Sequence, residues 1–203
     1  MSKIKFFITQ SWLLIVAALF FGVLLAGAQT GLNPLIEANE QKKLSDNMKM
    51  LITDATDFVP ATEEALEISV GKKTVLSDVY KGMTADGDIA GYAFIAEGAG
   101  FADKIKLVIA TDSGFTKYMG YKVMFSNETP GFGDKIKNAF YSTQYVGAPI
   151  QRLELTKAGD NTVINERIVA ISGATVSSDA VIKIFNTFGR KIKSQLQAQG
   201  VIQ

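Results

Sequence analysis

Two residue types are missing from this chain of 203 residues, which has no cysteine and no histidine. Without cysteine the chain can supply no disulfide, no thiolate nucleophile and no cysteine-ligated zinc or iron–sulfur centre. Without histidine it lacks the commonest metal ligand and the side chain best suited to proton transfer near neutral pH. Any redox chemistry would have to be carried by a bound organic cofactor, and acid–base or metal chemistry is left to carboxylates, lysines and tyrosines.

A surplus of one charge sign is also missing, because 21 lysines and arginines are balanced by 20 aspartates and glutamates. A formal net charge of +1 gives no electrostatic reason to expect nucleic acid as a partner. The phosphate-loop pattern G-x-x-x-x-G-K-[ST] does not occur, nor does a glycine-rich turn between a strand and a helix in a βαβ unit. The sequence therefore argues against hydrolysis of nucleoside triphosphates.

A long apolar run lies near the start of the chain. Lys3 and Lys5 precede a stretch without charge, residues 6–36, of which residues 6–28 are strongly apolar. At about 1.5 Å per residue, these roughly 23 residues would form a helix about 34 Å long, which is enough to cross a bilayer core of about 30 Å. The first interpretation is a single transmembrane helix over residues 6–28.

A cleaved signal peptide is the alternative, because Ala26-Gly27-Ala28 has the small-x-small pattern that leader peptidases accept. Basic residues lie only on the N-terminal side of the run until Lys42, so the positive-inside rule predicts a cytoplasmic N-terminus. We therefore expect a single-pass protein of the cell (inner) membrane. Residues 1–5 would lie in the cytoplasm, and everything beyond residue 28 would lie on the extracytoplasmic, or periplasmic, side.

Residues 29–73 are predicted to form a juxtamembrane helix and a connector. Apolar residues recur there at roughly helical spacing among charges, which favours a helix that packs on the following domain; they are Ile36, Leu44, Met48, Leu51 and Ile52. From residue 74 short β-branched and aromatic runs follow, the first being residues 74–84, separated by turn sequences such as Asp86-Gly87 and residues 98–100. This pattern predicts an antiparallel meander in an extracytoplasmic domain, residues 74–203.

Helices are expected to pack on this sheet, so the predicted fold class is α+β with a mainly antiparallel sheet. Residues 133–145 look helical, and residues 149–156 and 163–172 are strand candidates. The last element, residues 178–199, is predicted as a helix with Gly200 beyond its end. Its apolar stripe consists of Val181, Ile184, Phe185, Phe188, Ile192 and Leu196.

The stretch SGATVSS, residues 172–178, places small residues at the start of this helix. Unpaired N–H groups and the positive end of the helix dipole favour an anion there, so the amides of residues 176–178 suit a phosphate. Gly173 permits a backbone conformation closed to other residues, and Thr175 offers a hydroxyl that can form an ester. Two small residues leave room around them, Ser172 and Ala174. The alternative is an ordinary turn in which Thr175 or Ser177 caps the helix.

A second stretch, ETPGFG, occupies residues 128–133. Thr129-Pro130-Gly131 is a tight-turn sequence, because proline fixes φ and glycine can take positive φ. Gly133 would allow a flat ligand to approach the backbone. Taken alone, this stretch is better explained as a loop between a strand and a helix.

The two stretches together, behind one N-terminal membrane span, resemble the FMN-binding domain family of respiratory electron-transfer subunits. Residues 91–114 also resemble the core of that family, so that the resemblance covers nearly the whole chain. The branch that the chain resembles is the G subunit of the Rnf complex, an ion-translocating ferredoxin:NAD oxidoreductase. The sister branch, the C subunit of the sodium-translocating NADH:quinone reductase, is the alternative.

In that family the last threonine of S-G-A-T carries FMN through a phosphoester bond, which a separate flavin transferase installs from FAD. The resemblance assigns this role to Thr175. From the proximity of the motifs, we expect the other cofactor-binding residues to be of two kinds. Ser172, Gly173 and Ala174 would shape the loop, and Ser177 would hydrogen-bond the phosphate. The isoalloxazine would be lined by Glu128, Thr129 and Gly131, with the charge of Glu128 influencing its potential.

The resemblance implies a membrane-anchored electron-transfer protein that relays electrons through covalent FMN. Such a carrier needs no catalytic residue and no metal ligand. Its expected partners are the membrane flavin and iron–sulfur subunits of the complex, the flavin transferase and membrane lipid, without nucleic acid. The alternative from another functional class is a non-redox scaffold that holds partner subunits and whose turn motifs are only structural.

Overall fold

The computed structural model describes residues 3–71 and 73–202 of the chain. The chain forms two compact units, one that ends at Lys43 and one that begins at Leu44. Helix α1, Lys3–Leu51, supplies the first unit and the opening residues of the second. The second unit is the domain that contains both SGATVSS and ETPGFG.

Helix α1 contains a segment, Gln10–Leu51, that is long and apolar enough to cross a membrane, judged by length and composition. Its large apolar side chains are exposed in the first unit, among them Trp12, Leu19 and Phe20. The sequence places the end of a membrane span at residue 28, whereas the helix itself continues through Pro34 to Leu51. The position of the span within this helix remains a prediction.

The domain is built on an antiparallel sheet. The strands in chain order are β1 (Asp57–Pro60), β2 (Leu66–Val70), β3 (Lys73–Ser77), β4 (Val79–Met83), β5 (Ile89–Ala99), β6 (Lys104–Asp112), β7 (Tyr118–Ser126), β8 (Glu154–Thr156) and β9 (Arg167–Val169). Five of them form the main sheet in the order β1-β4-β5-β6-β7, and all neighbours are antiparallel. The predicted α+β class with a mainly antiparallel sheet is confirmed.

Two details of the sheet differ from the sequence prediction. Strands β1 and β2 lie before residue 74, in the segment that the sequence assigns to a helix and a connector. The single predicted run over residues 74–84 is divided into β3, which pairs with β2, and β4, which joins the main sheet. The chain turns between them because Ser77 Oγ donates to the Ile95 carbonyl at 2.6 Å, and the Ile95 N–H donates to the Asp78 carbonyl at 3.1 Å.

The central strands β5 and β6 are buried on both faces. One face belongs to the main core and contributes side chains such as Phe94, Leu107 and Ile109. The opposite face, with Ala93, Val108 and Ala110, packs against the end of α1 and the residues after it. The end of α1 contributes Met48 and Leu51 to this second cluster, and the residues after the helix contribute Ile52 and Ala55.

The main core lies between the sheet and the last helix, α3, Thr175–Ala198. This helix begins three residues before the predicted start, and its predicted apolar stripe is buried throughout. Gly98, which the sequence assigns to a turn, is instead inside β5. A Cβ atom on Gly98 would come within 2.7 Å of Ile184 Cγ1, so this glycine lets α3 lie close to the sheet.

The connection between β7 and α3 is less regular than the sequence predicts. The expected helix over residues 133–145 is divided into a 3-10 helix, Gly133–Lys137, the short helix α2, Ala139–Ser142, and a second 3-10 helix, Thr143–Tyr145. The expected strands at 149–156 and 163–172 are longer than the observed ones. Only β8 and β9 form within them, and these two strands pair with each other in parallel. Gln144 fixes the edge of β9, because its side-chain amide exchanges two hydrogen bonds with the backbone of Val169.

Three buried tyrosines fill the core beneath the start of α3. Tyr141, Tyr145 and Tyr121 pack edge to face, with ring centroids 5.6 Å apart for the first pair and 5.1 Å apart for the second. The Tyr121 hydroxyl donates to the Ile136 carbonyl, and the Tyr141 hydroxyl donates to the Ser178 carbonyl at 3.0 Å. Burial raises the pKa of all three phenols above their ordinary value.

These raised pKa values predict loss of stability at alkaline pH. In the unfolded chain the phenols ionise near pH 10, whereas in the folded domain they keep their protons, so above about pH 10 the unfolded state binds fewer protons and stability falls with pH. Each phenol contributes up to about 1.4 kcal/mol per pH unit. Denaturant unfolding of the full chain in detergent, repeated at rising pH, should show this decline. Tyr121→Phe should make it shallower, and a free energy of unfolding that stays level would contradict the prediction.

Candidate functional site

The two sequence motifs meet in the domain and line one cavity of about 400 Å³. ETPGFG contributes Thr129, Phe132 and Gly133, and SGATVSS contributes residues 173–177. A third segment, the loop between β5 and β6, contributes Phe101. Cavities that hold small ligands commonly range from about 300 to 1,000 Å³, so this one is large enough for a cofactor.

Thr175 is the first residue of α3 and lies at this cavity with an exposed side chain. The residue before it, Ala174, is the N-cap, and no side chain caps the helix. The alternative in which Thr175 or Ser177 serves as a helix cap therefore does not describe this helix. The Thr175 hydroxyl makes no hydrogen bond to another residue within the part of the chain that the structure describes.

The free amides at this helix start are shifted by one residue from the sequence prediction. The Ser178 N–H already donates to the Ala174 carbonyl at 3.0 Å, which is the first hydrogen bond of the helix. The N–H groups of Thr175, Val176 and Ser177 precede it and have no acceptor within the helix. An anion attached at residue 175 would therefore face the amides of residues 175–177 and the positive end of the helix dipole.

The turn before α3 is held by a side chain that the sequence did not single out. Ser178 Oγ accepts from the Ile171 N–H at 3.0 Å and donates to the Ala174 carbonyl at 2.9 Å. Between these two contacts, Gly173 has a φ of +79°, in the left-handed region that favours glycine. Ser178 is fully buried, so it fixes the turn from the core side and leaves the opposite side open to the cavity.

Ser177 points to a carboxylate. Its hydroxyl donates to Glu128 Oε2 at 2.5 Å, while Glu128 Oε1 accepts from the N–H groups of Phe101 at 2.8 Å and Ala102 at 3.2 Å. Both Ser177 and Glu128 are buried, and Ser177 lines the cavity whereas Glu128 lies behind it. The Ser177 hydroxyl hydrogen is thus directed to Glu128, and the expected bond from this hydroxyl to a phosphate remains a prediction.

The turn at Thr129-Pro130-Gly131 has the predicted geometry. Gly131 has a φ of +77°, and the Thr129 carbonyl accepts from the N–H groups of Phe132 at 3.1 Å and Asp134 at 3.3 Å. Thr129 lines the cavity, whereas Gly131 lies at the exposed outer end of the turn and does not line it. Among the predicted site residues, Ser172 is also outside the cavity lining.

Three large apolar side chains at the cavity are exposed to solvent, and the sequence prediction assigned a cofactor role to none of them. Phe101 is 67% exposed, and Phe132 and Val176 are each 55% exposed. The Lys135 ammonium lies 5.9 Å from the centre of the Phe132 ring. The sequence could have indicated the two phenylalanines as site residues. Phe101 follows Gly100 and Phe132 lies between two glycines, and a phenylalanine has no function in a turn at such positions.

The chemistry of this cavity is that of a binding site. Within the described residues there is no group of histidine, cysteine, aspartate or glutamate side chains that could hold a metal ion. The cavity offers a free hydroxyl, three backbone amides and apolar aromatic surface. These groups fit FMN, because the amides suit its phosphate and the phenylalanines suit its flat ring system.

Comparisons with known proteins identify an FMN-binding domain in this part of the chain. The FMN-binding domain family matches residues 100–188, which include both motifs. The G subunit of the ion-translocating oxidoreductase complex of Methanosarcina acetivorans is 34% identical over 148 residues, which are 73% of this chain and 72% of that protein. The G subunit of the proton-translocating ferredoxin:NAD(+) oxidoreductase complex of Clostridium ljungdahlii is 28% identical over 163 residues, which are 80% of this chain and 78% of that protein.

The fold has a counterpart among solved structures. The crystal structure of NqrC from Shewanella oneidensis matches with a TM-score of 0.53 at 21% identity, over 72% of this chain and 73% of that chain. At this identity the likeness shows a shared fold only. The relationship in sequence is to the G subunits, at 34% identity over most of both chains. The chain therefore belongs to the family of G subunits of ion-translocating oxidoreductase complexes, as an electron-transfer subunit with an FMN-binding domain.

Proposed function

We propose that this protein carries FMN on Thr175 through a phosphoester bond and relays electrons through it. The observation that supports this proposal is the position of the Thr175 hydroxyl, which is exposed at the start of α3, inside the cavity formed by both motifs. With FAD as the donor, Thr175 Oγ would form a bond to the FMN phosphorus and the pyrophosphate bond would break. AMP would leave, and the hydroxyl proton would pass to solvent. A separate flavin transferase would catalyse this step.

The residues around Thr175 would hold FMN in two ways. The N–H groups of residues 175–177 would face the phosphate, and the turn of Ser172, Gly173 and Ala174 would present them. The isoalloxazine would rest on the exposed apolar side chains at the cavity, Phe101, Phe132 and Val176. Thr129 would line the same space, and Gly131 would act only by shaping its turn.

The flavin would exchange electrons with centres on other subunits. FMN supplies chemistry that no side chain of this chain offers, because it can hold one or two electrons. The chain has no cysteine and no histidine, so it supplies none of the usual ligands of an iron–sulfur centre, and any such centre that exchanges electrons with the flavin would lie on a partner. We propose that those partners are membrane flavin and iron–sulfur subunits of the complex.

Mass spectrometry of the intact native chain tests the attachment. Protein produced together with an active flavin transferase should carry one FMN that survives denaturation, and its visible absorption should be that of a flavin. A colourless native preparation without added mass would reject the carrier and favour the non-redox scaffold. Because the measured mass also reveals cleavage of a leader, the same spectrum tests whether residues 6–28 are retained.

We further propose that residues 6–28 anchor the chain in the cell membrane with residues 1–5 in the cytoplasm and the FMN-binding domain outside. Because the chain has no cysteine, a single introduced cysteine would be its only thiol. In spheroplasts, a membrane-impermeant maleimide should label Lys157→Cys, at an exposed position of the domain, and spare Ser2→Cys. Both variants should react after lysis. Labelling of Ser2→Cys in intact spheroplasts would contradict the proposed topology.

A further inference from the structure

The carboxylate of Glu128 joins three segments that are distant in the chain. Its Oε1 accepts hydrogen bonds from the Phe101 and Ala102 N–H groups, 27 and 26 residues away, at 2.8 and 3.2 Å. Its Oε2 accepts from the Ser177 hydroxyl, 49 residues away, at 2.5 Å. Glu128 is only 5% exposed, so these bonds lie in a site that water barely reaches. The single side chain of Glu128 thus joins the three segments that line the cavity.

The backbone around this carboxylate leaves no room for a side chain at two neighbouring glycines. A Cβ atom on Gly133 would lie 2.5 Å from Ser177 Oγ and 2.6 Å from Glu128 Oε2, and a Cβ atom on Gly100 would collide with Glu128 Oε1. Gly133 therefore makes room for the carboxylate and also lines the cavity, and its predicted role in letting a ligand approach remains a prediction. The neighbouring Asn127 strengthens the same loop, because its amide donates to Asp103 Oδ2 at 2.8 Å.

All three hydrogen-bond partners of Glu128 are donors, so both oxygens act as acceptors, as in an ionised carboxylate. Its partner Ser177 is the third residue of α3, so the charge lies at the positive end of that helix, where an anion is favoured. Ser177 lies between the carboxylate and the cavity. If FMN binds in this cavity, a negative charge behind its wall would oppose the addition of an electron and lower the reduction potential of the flavin.

We infer that Glu128 is a positioning residue of the flavin site: its carboxylate holds the cavity walls together before FMN arrives, and its charge lowers the reduction potential of the bound flavin. This inference rests on the proposed function of Thr175. It assigns to Glu128 no contact with FMN and places its action through Ser177 and the loop at residues 100–103.

Two variants separate the effect of the Glu128 charge from the effect of its hydrogen bonds. In Glu128→Gln, the amide oxygen can still accept from Phe101 and Ala102, and the amide nitrogen can donate to Ser177 Oγ, so the network is kept while the charge is lost. In Ser177→Ala, the charge is kept and one hydrogen bond is lost. Each variant is made in the full chain, produced with the transferase and checked for FMN by intact mass. Thermal unfolding of the same variants combined with Thr175→Ala reports the stability of the flavin-free site.

We expect Glu128→Gln to raise the midpoint potential of the loaded flavin clearly more than Ser177→Ala does. The flavin-free stability should be lowered more by Ser177→Ala than by Glu128→Gln. A purely structural role would change stability in all variants and leave the potential of the loaded flavin unmoved. A wild-type potential in Glu128→Gln, or a lower one, would overturn this inference alone. A wild-type chain without covalent flavin would overturn the proposed function and this inference with it.

Discussion

Thr175→Ala should yield a folded chain that contains no covalent flavin. The Thr175 side chain is exposed and makes no hydrogen bond to another described residue, so its loss should change stability by no more than about 0.5 kcal/mol. The oxygen that would bond to phosphorus is nevertheless gone. We expect the mass added by FMN to disappear completely, while the unfolding temperature stays near that of the flavin-free wild type.

Thr175→Ser is the matched variant for this experiment. It restores the hydroxyl without the methyl group, so it should recover covalent flavin in part or in full when produced with the same transferase. Fluorescence of the denatured chain on a gel and intact mass both report the result. Flavin that remains attached in Thr175→Ala at the wild-type level would place the ester on another residue and reject Thr175 as the site.

Phe185→Ala should be the most destabilising single change that we consider. The Phe185 ring is fully buried on α3, with ring centroids 4.4 Å from Tyr145, 4.8 Å from Tyr118 and 5.6 Å from Tyr121. Truncation of such a buried aromatic typically costs about 3–5 kcal/mol, a large share of the roughly 5–15 kcal/mol that stabilises a domain. Denaturant unfolding should show a strongly reduced midpoint, and the yield of folded protein should fall.

The control is Phe140→Ala, because Phe140 is 47% exposed and its loss should cost under about 1 kcal/mol. The comparison of these two variants also tests whether the aromatic cluster supports the flavin site. Phe185 packs on Tyr145, which hydrogen-bonds Tyr141, and Tyr141 in turn donates to the Ser178 carbonyl near the start of α3. If Phe185→Ala and Phe140→Ala were equally stable, the aromatic cluster would not be the support of this site that we take it to be.

Much of the domain could be predicted from the sequence because the relevant patterns are local. The apolar stripe of α3 recurs within one helix, and all of its predicted members are buried. The strands β4 to β7 are separated by turn residues such as Asp86-Gly87, where Gly87 has a φ of +88°. The two motifs were joined into one predicted site by the family resemblance, whereas the residues themselves predicted only the local geometry, such as the positive φ of Gly131 and Gly173.

Other features were decided by contacts between distant segments. The division of residues 74–84 into two strands depends on two hydrogen bonds with Ile95 in β5, one that Ser77 Oγ donates to the Ile95 carbonyl and one that the Ile95 N–H donates to the Asp78 carbonyl. Gly98 looks like a turn residue in sequence, and only the approach of Ile184 shows why a glycine is required inside a strand. The parallel pair β8 and β9 is too short to be recognised by period, because each strand has three residues.

The sequence by itself determined the class of the domain, the helix that begins at the S-G-A-T turn and the threonine that could bear a phosphate, because these follow from periodicity and from residue types within short windows. Only the tertiary structure decided what surrounds that threonine. Phe101, Glu128 and Ser177 are brought together by hydrogen bonds across 27 and 49 residues, and nothing in the local pattern specifies such contacts. The physical reason is that burial of the Glu128 carboxylate requires donors from several segments at once, and chain folding alone can supply them.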